Sequence, residues 1–272
     1  MVKSEQEADS NQHTPPVALV GFGYWGRNLA RNLDSLGALR FIVDTSLENR
    51  GSAEEVYPNI QVCETLETVL EDPEILGVVL ATPAITHASI TRQVLEAGKD
   101  VFVEKPLALN LSEGRALVDL AQERNAILMV GHLLEYHPAV EEIERRVVAG
   151  GVGALQYIYS NRLNWGRLRR EESILWSFAP HDIAVILRLV GAEPLRVSAT
   201  GGAWIQPDVR DVTVTHMEFP GGVRAHVFVS WLHPHKEQRL VVTGEKNVLV
   251  FEDSVEDKAR KLRQYSHSVD WQ

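Results

Sequence analysis

The fold is decided by VALVGFGYWGRNLARNL, residues 17–33. Four apolar residues run up to Gly21, two further glycines stand at Gly23 and Gly26, and an amphipathic pattern begins at once. A strand that gives way to a helix across three glycines has a physical reading. Gly21 permits the tight turn, Gly23 lets a pyrophosphate approach the backbone, and Gly26 allows the helix to pack closely on the strand. Tyr24 and Trp25, between Gly23 and Gly26, belong to this candidate cofactor-binding loop. An anion is favoured there by the unpaired N–H groups and the dipole of the helix. A second apolar run, RFIV, ends in Asp44, 18 residues after Gly26. That is close to the spacing of about 20 at which a carboxylate meets the ribose hydroxyls of a dinucleotide. Such a carboxylate repels a 2′-phosphate, so NAD is expected in preference to NADP. Asp44 has a competing role as a cap for the helix of TSLENR, for which Thr45 with Glu48 also qualifies as a capping box.

From Pro16 to about Val130 short apolar runs alternate with amphipathic stretches: VALV, RFIV, GVVLAT, DVFVE and AILMV. This is the pattern of a parallel sheet wound with helices. In ATPAITHASITRQVLEAG, Ile85, Ile90 and Val94 or Leu95 fall near one helix face, and Gly98 stands where the helix would stop. Beyond Gly150 the texture changes to period two in ALQYIYSNRLNW, LRVSATGGAW, DVTVTHMEF, GVRAHVFVSW, QRLVVTG and NVLVFED, interrupted by the helical segment IAVILRLVG at 183–191. The expected fold is α/β: an N-terminal Rossmann doubly wound parallel sheet, then a C-terminal α+β domain with an open, mostly antiparallel sheet. The expected organisation is a disordered tail over 1–15, an NAD-binding Rossmann domain over 16–130, and a substrate-binding and oligomerisation domain over 131–272.

Composition narrows the function. Of 272 residues 44% are hydrophobic and 24% charged, the balance of a water-soluble globular protein. The net charge of -10 repels nucleic acid and anionic membranes. The first fifteen residues lack the apolar stretch of a signal peptide or anchor. Cys63 is the only cysteine, so there is no internal disulfide, and a cytoplasmic protein is expected. His233-Pro-His235 has no further ligand at recognisable spacing, so no metal is expected.

The segment DVFVEKPLALN delivers Glu104, Lys105 and Pro106 to the carboxyl edge of the sheet, where doubly wound folds bind ligands. The residue before a proline is restricted to extended conformations, which fixes the direction of Lys105. Taken together, Gly21 to Gly26, ATPAITH at 81–87, EKP at 104–106, GH at 131–132 and HDI at 181–183 resemble the Gfo/Idh/MocA oxidoreductase family. The resemblance runs in order from about residue 15 to about residue 265, and it is far more specific than any one motif.

The resemblance implies that Lys105 lies beside the nicotinamide and the reacting hydroxyl, and that the bond before Pro106 is cis. Thr82 and Pro83 match a loop that passes the cofactor, Glu104 matches an acid that contacts it, and His87 joins them either as a cofactor residue or as a helix cap. His181 matches a histidine that takes the substrate proton or assists in doing so. The aspartate that often precedes it by four residues is replaced here by Ser177. The acceptor is therefore His181 alone, His181 helped by Asp182, or Lys105. Histidine begins nearest the working pH, so His181 is assigned as acceptor and Lys105 as the donor that orients and polarises the oxygen.

The phrase around NRLNWGR and WSFAPHDI is similar to the branch that acts on nucleotide sugars, the UDP-N-acetylglucosamine and UDP-N-acetylglucosaminuronate 3-dehydrogenases. That implies hydride transfer between a sugar secondary hydroxyl, C3 of a UDP-sugar, and the nicotinamide. An inositol or free-sugar dehydrogenase and a non-catalytic dinucleotide sensor are the alternatives. Arg162 and Arg167, with Arg169 and Arg170, gather positive charge suited to a diphosphate. Asn164, Trp165, Ser177 and Asp182 complete the candidate substrate set. His132 and Tyr136 belong to GHLLEYHPAVEEIERRV, which resembles the family's interdomain helix; core packing is expected for Tyr136. The resemblance implies further C-terminal helices, which are not expected in a chain read as ending at DKARKLRQYSHSVDWQ, either a shortened member or one completed by a partner; a homo-oligomer is expected because an open sheet face is usually buried against another subunit.

Overall fold

VALV forms strand β1 (Val17–Val20), and its four apolar residues are buried or nearly so because helices cover both faces of the sheet it joins. In the computed structural model, which describes residues 14–165, 168–170 and 172–268, contacts divide the chain into two units, Met1–Gly131 and His132–Gln272. Most of the tail expected to be disordered, residues 1–13, lies outside the described residues.

The first unit continues with α1 (Gly26–Ser35), β2 (Leu39–Val43), α2 (Leu47–Val56), β3 (Gln61–Cys63), α3 (Glu67–Leu70) and β4 (Gly77–Leu80). It ends with α4 (Ala84–Glu96), β5 (Asp100–Val103), α5 (Leu111–Arg124) and β6 (Leu128–Val130). All strand pairs are parallel in the order β3-β2-β1-β4-β5-β6. Alternation along the strands divides the core in two. Leu19, Ile42 and Val79 meet Ala30 of α1 and Ala53 of α2, while Ala18, Val20, Val78 and Leu80 meet Val94 and Leu95 of α4 and Leu117 of α5.

The second unit has α6 (Pro138–Val148), β7 (Leu155–Leu163), α7 (Ile174–Val190), β8 (Arg196–Gly202), β9 (Val212–Glu218), β10 (Arg224–Ser230), β11 (Glu237–Gly244), β12 (Asn247–Glu252) and β13 (Leu262–Ser266). The sheet runs β13-β12-β11-β7-β10-β9-β8. Only β7 with β10 is parallel among its pairs. One face packs on α6 and α7 through Ile143, Ile158, Ile186, Val227, Val229 and Leu249. Among the described residues no helix is long and apolar enough to cross a membrane.

Several details depart from the sequence expectations. Strand β3 is an addition: three residues, one exposed and two half-buried, leave no periodicity to read. Strand β13 is another, formed from part of the charged stretch after residue 257 and paired with β12. In α4 the inward stripe is His87, Thr91, Val94 and Leu95, so Ile85, expected on that face, is 73% exposed. Tyr136, expected in the core, is exposed. The helix around residue 181 begins six residues before Pro180 rather than near it. Its first residue is Ile174, whose N–H donates to the carbonyl of Arg210, and Pro180 is internal. A proline there removes one helical hydrogen bond, which burial of Ile174, Ala179, Val185, Ile186 and Leu189 offsets at about 1.5–3 kcal/mol for each large side chain.

A buried ion pair fastens α7 to the sheet. Arg162 of β7 donates to Asp182 through Nε at 2.7 Å and Nη2 at 3.2 Å, and Ser160 donates to the same carboxylate at 2.6 Å. The two charged side chains are 11% and 6% exposed. We expect Asp182→Ala to lower the unfolding free energy by about 3–5 kcal/mol in urea titrations, because it leaves the guanidinium buried without its counter-charge. Replacing both partners with apolar residues should recover most of that loss. In the first unit a Cβ on Gly26 would lie 1.9 Å from the carbonyl oxygen of Gly21. Gly26→Ala should therefore cost about 1–3 kcal/mol by the same measurement, whereas Gly51→Ala, with nothing within 4 Å of its Cβ, should not destabilise.

Candidate functional site

Parallel strands deliver their following residues to one edge, and in the first unit that edge collects most of the sequence-derived candidates. Along β2, β1, β4 and β5, neighbours in that order, the residues after the strands are Asp44, Gly21 to Gly26, Thr82 with Pro83, and Glu104 with Lys105. At the usual strand spacing these four positions span about 14 Å. The chain order reverses direction between β1 and β4, which is the topological switch point where such sheets bind ligands.

Each glycine of the turn answers a different constraint. Gly21 has φ +95, and a Cβ there would meet the Ala81 carbonyl oxygen at 2.7 Å. Gly26 has no room because α1 presses on the turn. At Gly23 the result is the opposite: a Cβ would meet nothing within 4 Å. The missing side chain thus leaves open space beside the start of α1, where the N–H groups of Arg27, Asn28 and Leu29 already donate to the carbonyls of Gly23 and Trp25 and the helix dipole favours an anion. A dinucleotide pyrophosphate fits these residues. Tyr24 is 81% exposed.

Asp44 is held from three sides. Its Oδ2 accepts from the N–H of Phe22 at 2.7 Å and from Asn49 Nδ2 at 3.1 Å, while Oδ1 accepts from the N–H of Ser46 at 2.8 Å. The carboxylate therefore ties the glycine turn to the end of β2. A carboxylate has about four acceptor positions, so these three bonds leave capacity for a ribose hydroxyl. The cap of α2 is Ser46, which accepts from the N–H of Asn49, and not Thr45. Ser46 and Asn49 are supports that the sequence reading missed; the SLEN following Asp44 was the available signal.

At the other end, Trp25 Nε1 donates to Glu104 Oε1 at 2.6 Å, joining the glycine turn to the end of β5. Burial pushes the Glu104 carboxyl above its usual range, against the opposing effects of the Trp25 bond and of Lys105 and His87 nearby. Gly131 closes on the same carboxylate, since a Cβ there would lie 2.9 Å from Oε1. Lys105 is half-buried, and its bond to Pro106 is cis. Thr82 accepts from the hydroxyl of Thr86 at 2.8 Å, and Pro83 caps α4. His87 is not turned toward open space. It is 1% exposed, with Nδ1 2.7 Å from the Pro106 carbonyl oxygen and Nε2 2.9 Å from that of Thr82. Both ring nitrogens are committed to backbone, which corrects its expected place among the cofactor contacts.

In the second unit the His181 and His132 rings meet edge to face, 6.0 Å between centroids. Ser177 is buried one helical turn before His181. Asp182, offered by sequence as a helper of His181 or a substrate contact, directs its carboxylate to Ser160 and Arg162 instead. Arg162, expected to contribute to a diphosphate-binding loop, lies inside β7 with its charge matched by Asp182. Gln238, with its amide oriented to satisfy its neighbours, accepts from Arg162 Nη1 at 3.0 Å. Asn164 follows β7 and donates its N–H to the carbonyl of Ser230, and Trp165 is 66% exposed. Arg169 and Arg170 are exposed. Arg167 lies outside the described residues.

Comparison with known proteins assigns this arrangement. Residues 16–132 match the model described as oxidoreductase family, NAD-binding Rossmann fold, and residues 140–250 match the Gfo/Idh/MocA C-terminal domain. The chain is 29% identical over 217 residues to UDP-N-acetylglucosamine 3-dehydrogenase of Acidithiobacillus ferrooxidans, covering 79% of this chain and 66% of that protein. It is 30% identical over 239 residues to scyllo-inositol 2-dehydrogenase (NAD(+)) of Bacillus subtilis, covering 82% and 69%. The chain spans about two thirds of the length of these curated relatives. The crystal structure of GenD2 from gentamicin A biosynthesis, in complex with NAD, superposes with a TM-score of 0.82 at 26% identity, over 87% of this chain and 72% of that one. With both halves matched in order, the chain belongs to the Gfo/Idh/MocA oxidoreductase family and carries its NAD-binding Rossmann domain.

Proposed function

We propose that this protein is an NAD-dependent dehydrogenase acting on a secondary hydroxyl of a sugar, with C3 of a UDP-linked sugar as the favoured position. The observation that carries the reading is the row of Asp44, Gly23, Thr82 and Glu104 with Lys105 along adjoining strand ends. In this reading Asp44 accepts from a ribose hydroxyl and disfavours a 2′-phosphate, and Gly23 leaves the pyrophosphate its space. Thr82, Pro83 and Glu104 line the path toward Lys105. When bound, NAD supplies an acceptor for hydride at C4 of its nicotinamide. Lys105 donates a hydrogen bond to the reacting oxygen and orients it. His181 takes the hydroxyl proton, the work for which an imidazole is suited near neutral pH.

Asn164, Trp165, Ser177 and Arg167 are the proposed substrate contacts, while Arg162 and Asp182 hold α7. The nucleotide-sugar relative supports the substrate class. The inositol relative, at similar identity over a longer stretch, supports a second reading in which the substrate is a free polyol. The proposed assembly is a homo-oligomer; sedimentation at the mass of a single chain would exclude it.

The test mixes the purified full chain with NAD and separately with UDP-linked N-acetylhexosamines, their uronates, inositols and free hexoses, following the near-ultraviolet absorbance of the reduced nicotinamide. Turnover on the UDP-sugars is expected, and turnover on inositols alone would select the second reading. Lys105→Met and His181→Ala should each lower kcat/KM about 100-fold or more. Stable NAD binding without turnover on any substrate would contradict both readings and leave a dinucleotide-binding sensor.

A further inference from the structure

His87 presents a hydrogen-bond stoichiometry that only one form of the ring satisfies. Its Nδ1 faces the carbonyl oxygen of Pro106 at 2.7 Å and its Nε2 faces that of Thr82 at 2.9 Å. A carbonyl oxygen accepts and cannot donate, so each contact needs an N–H on the ring. A neutral imidazole has one N–H and one lone pair. In either neutral tautomer the lone pair would stand against a carbonyl oxygen at hydrogen-bond distance, in a place 1% exposed to solvent.

We propose that His87 carries protons on both ring nitrogens in the folded protein and, as a buried cation, ties the Thr82 loop to Pro106, positioning Lys105. Bonds from a cationic donor are the stronger kind, and these two reach segments that follow different strands, β4 and β5. Glu104 and Lys105 stand at the end of β5, and Glu104 lies within electrostatic reach of the ring. Its carboxylate favours the charged ring by electrostatic attraction. Glu104 is in turn held by Trp25, so His87, Glu104 and Trp25 connect the segments after β1, β4 and β5 around Lys105. His87 does not need to touch cofactor or substrate; it acts through the Pro106 carbonyl on the residue just before it.

The first arm of the test is independent of any activity. Two-bond proton–nitrogen correlation spectra of the full chain labelled with ¹⁵N-histidine, at about pH 7, should show one ring with both nitrogens protonated, assigned by its loss in His87→Gln. A His87 ring with one protonated and one lone-pair nitrogen would overturn the proposal. The second arm rests on the dehydrogenase reading. His87→Gln carries its donors on one nitrogen and cannot span both carbonyls, so kcat should fall about 100-fold, the scale of a displaced reacting group, with KM and NAD affinity held. Unchanged kcat in a folded His87→Gln variant would remove the positioning role. If no substrate is turned over by the wild type, the spectra still decide the protonation of His87.

Discussion

One missing carbon atom governs the first unit. A methyl group on Gly26 would lie far inside the van der Waals contact distance of the Gly21 carbonyl oxygen, so α1 can approach β1 as it does only with glycine there. That approach places the start of the helix directly behind the turn and leaves Gly23 facing open space. The other supports converge on the same turn. Asp44 receives the N–H of Phe22 from one side, and Trp25 reaches across to Glu104 on the other. Steric exclusion sets the backbone path, and charge-assisted bonds then hold it.

The second unit uses a different constraint. Helix α7 is apolar enough to be buried against its sheet, yet it carries Ser177, His181 and Asp182. The Asp182 carboxylate answers the cost of burial by accepting from Ser160 and Arg162, which fixes the rotation of the helix about its axis. His181, one residue earlier, is directed elsewhere and meets the ring of His132. The same pairing explains why a cation that looked available in sequence is not: Arg162 sits in a strand whose alternation turns it toward the helix.

Much of the fold was legible in the sequence because periodicity was strong where burial was strong. VALV, buried on both faces, is continuously apolar, while RAHVFV of β10 alternates because Ala225, Val227 and Val229 face the core and the residues between them do not. Legibility failed where the signal was short or shared. The three residues of β3 carry no period, and Ile85 and His87 exchanged places because a helical stripe read from isoleucines alone ignores a histidine that finds two carbonyl partners inside. Pro180 misled for a related reason. Proline marks helix starts in general, but tertiary burial on both sides keeps this one within α7. For the candidate site, sequence order brought the strand-end residues to notice, whereas the bonding of Asp44, His87 and Arg162 depends on side-chain directions that spacing does not encode.

The account as a whole rests on the open position at Gly23 receiving the pyrophosphate of NAD. Calorimetric titration of NAD into the wild type and into Gly23→Val, with folding of both verified, tests this most directly. The account predicts that the variant stays folded, since nothing lies within 4 Å of a Cβ at that residue, and loses at least about tenfold in affinity, or about 1.4 kcal/mol. Equal NAD affinity in the two proteins would contradict it.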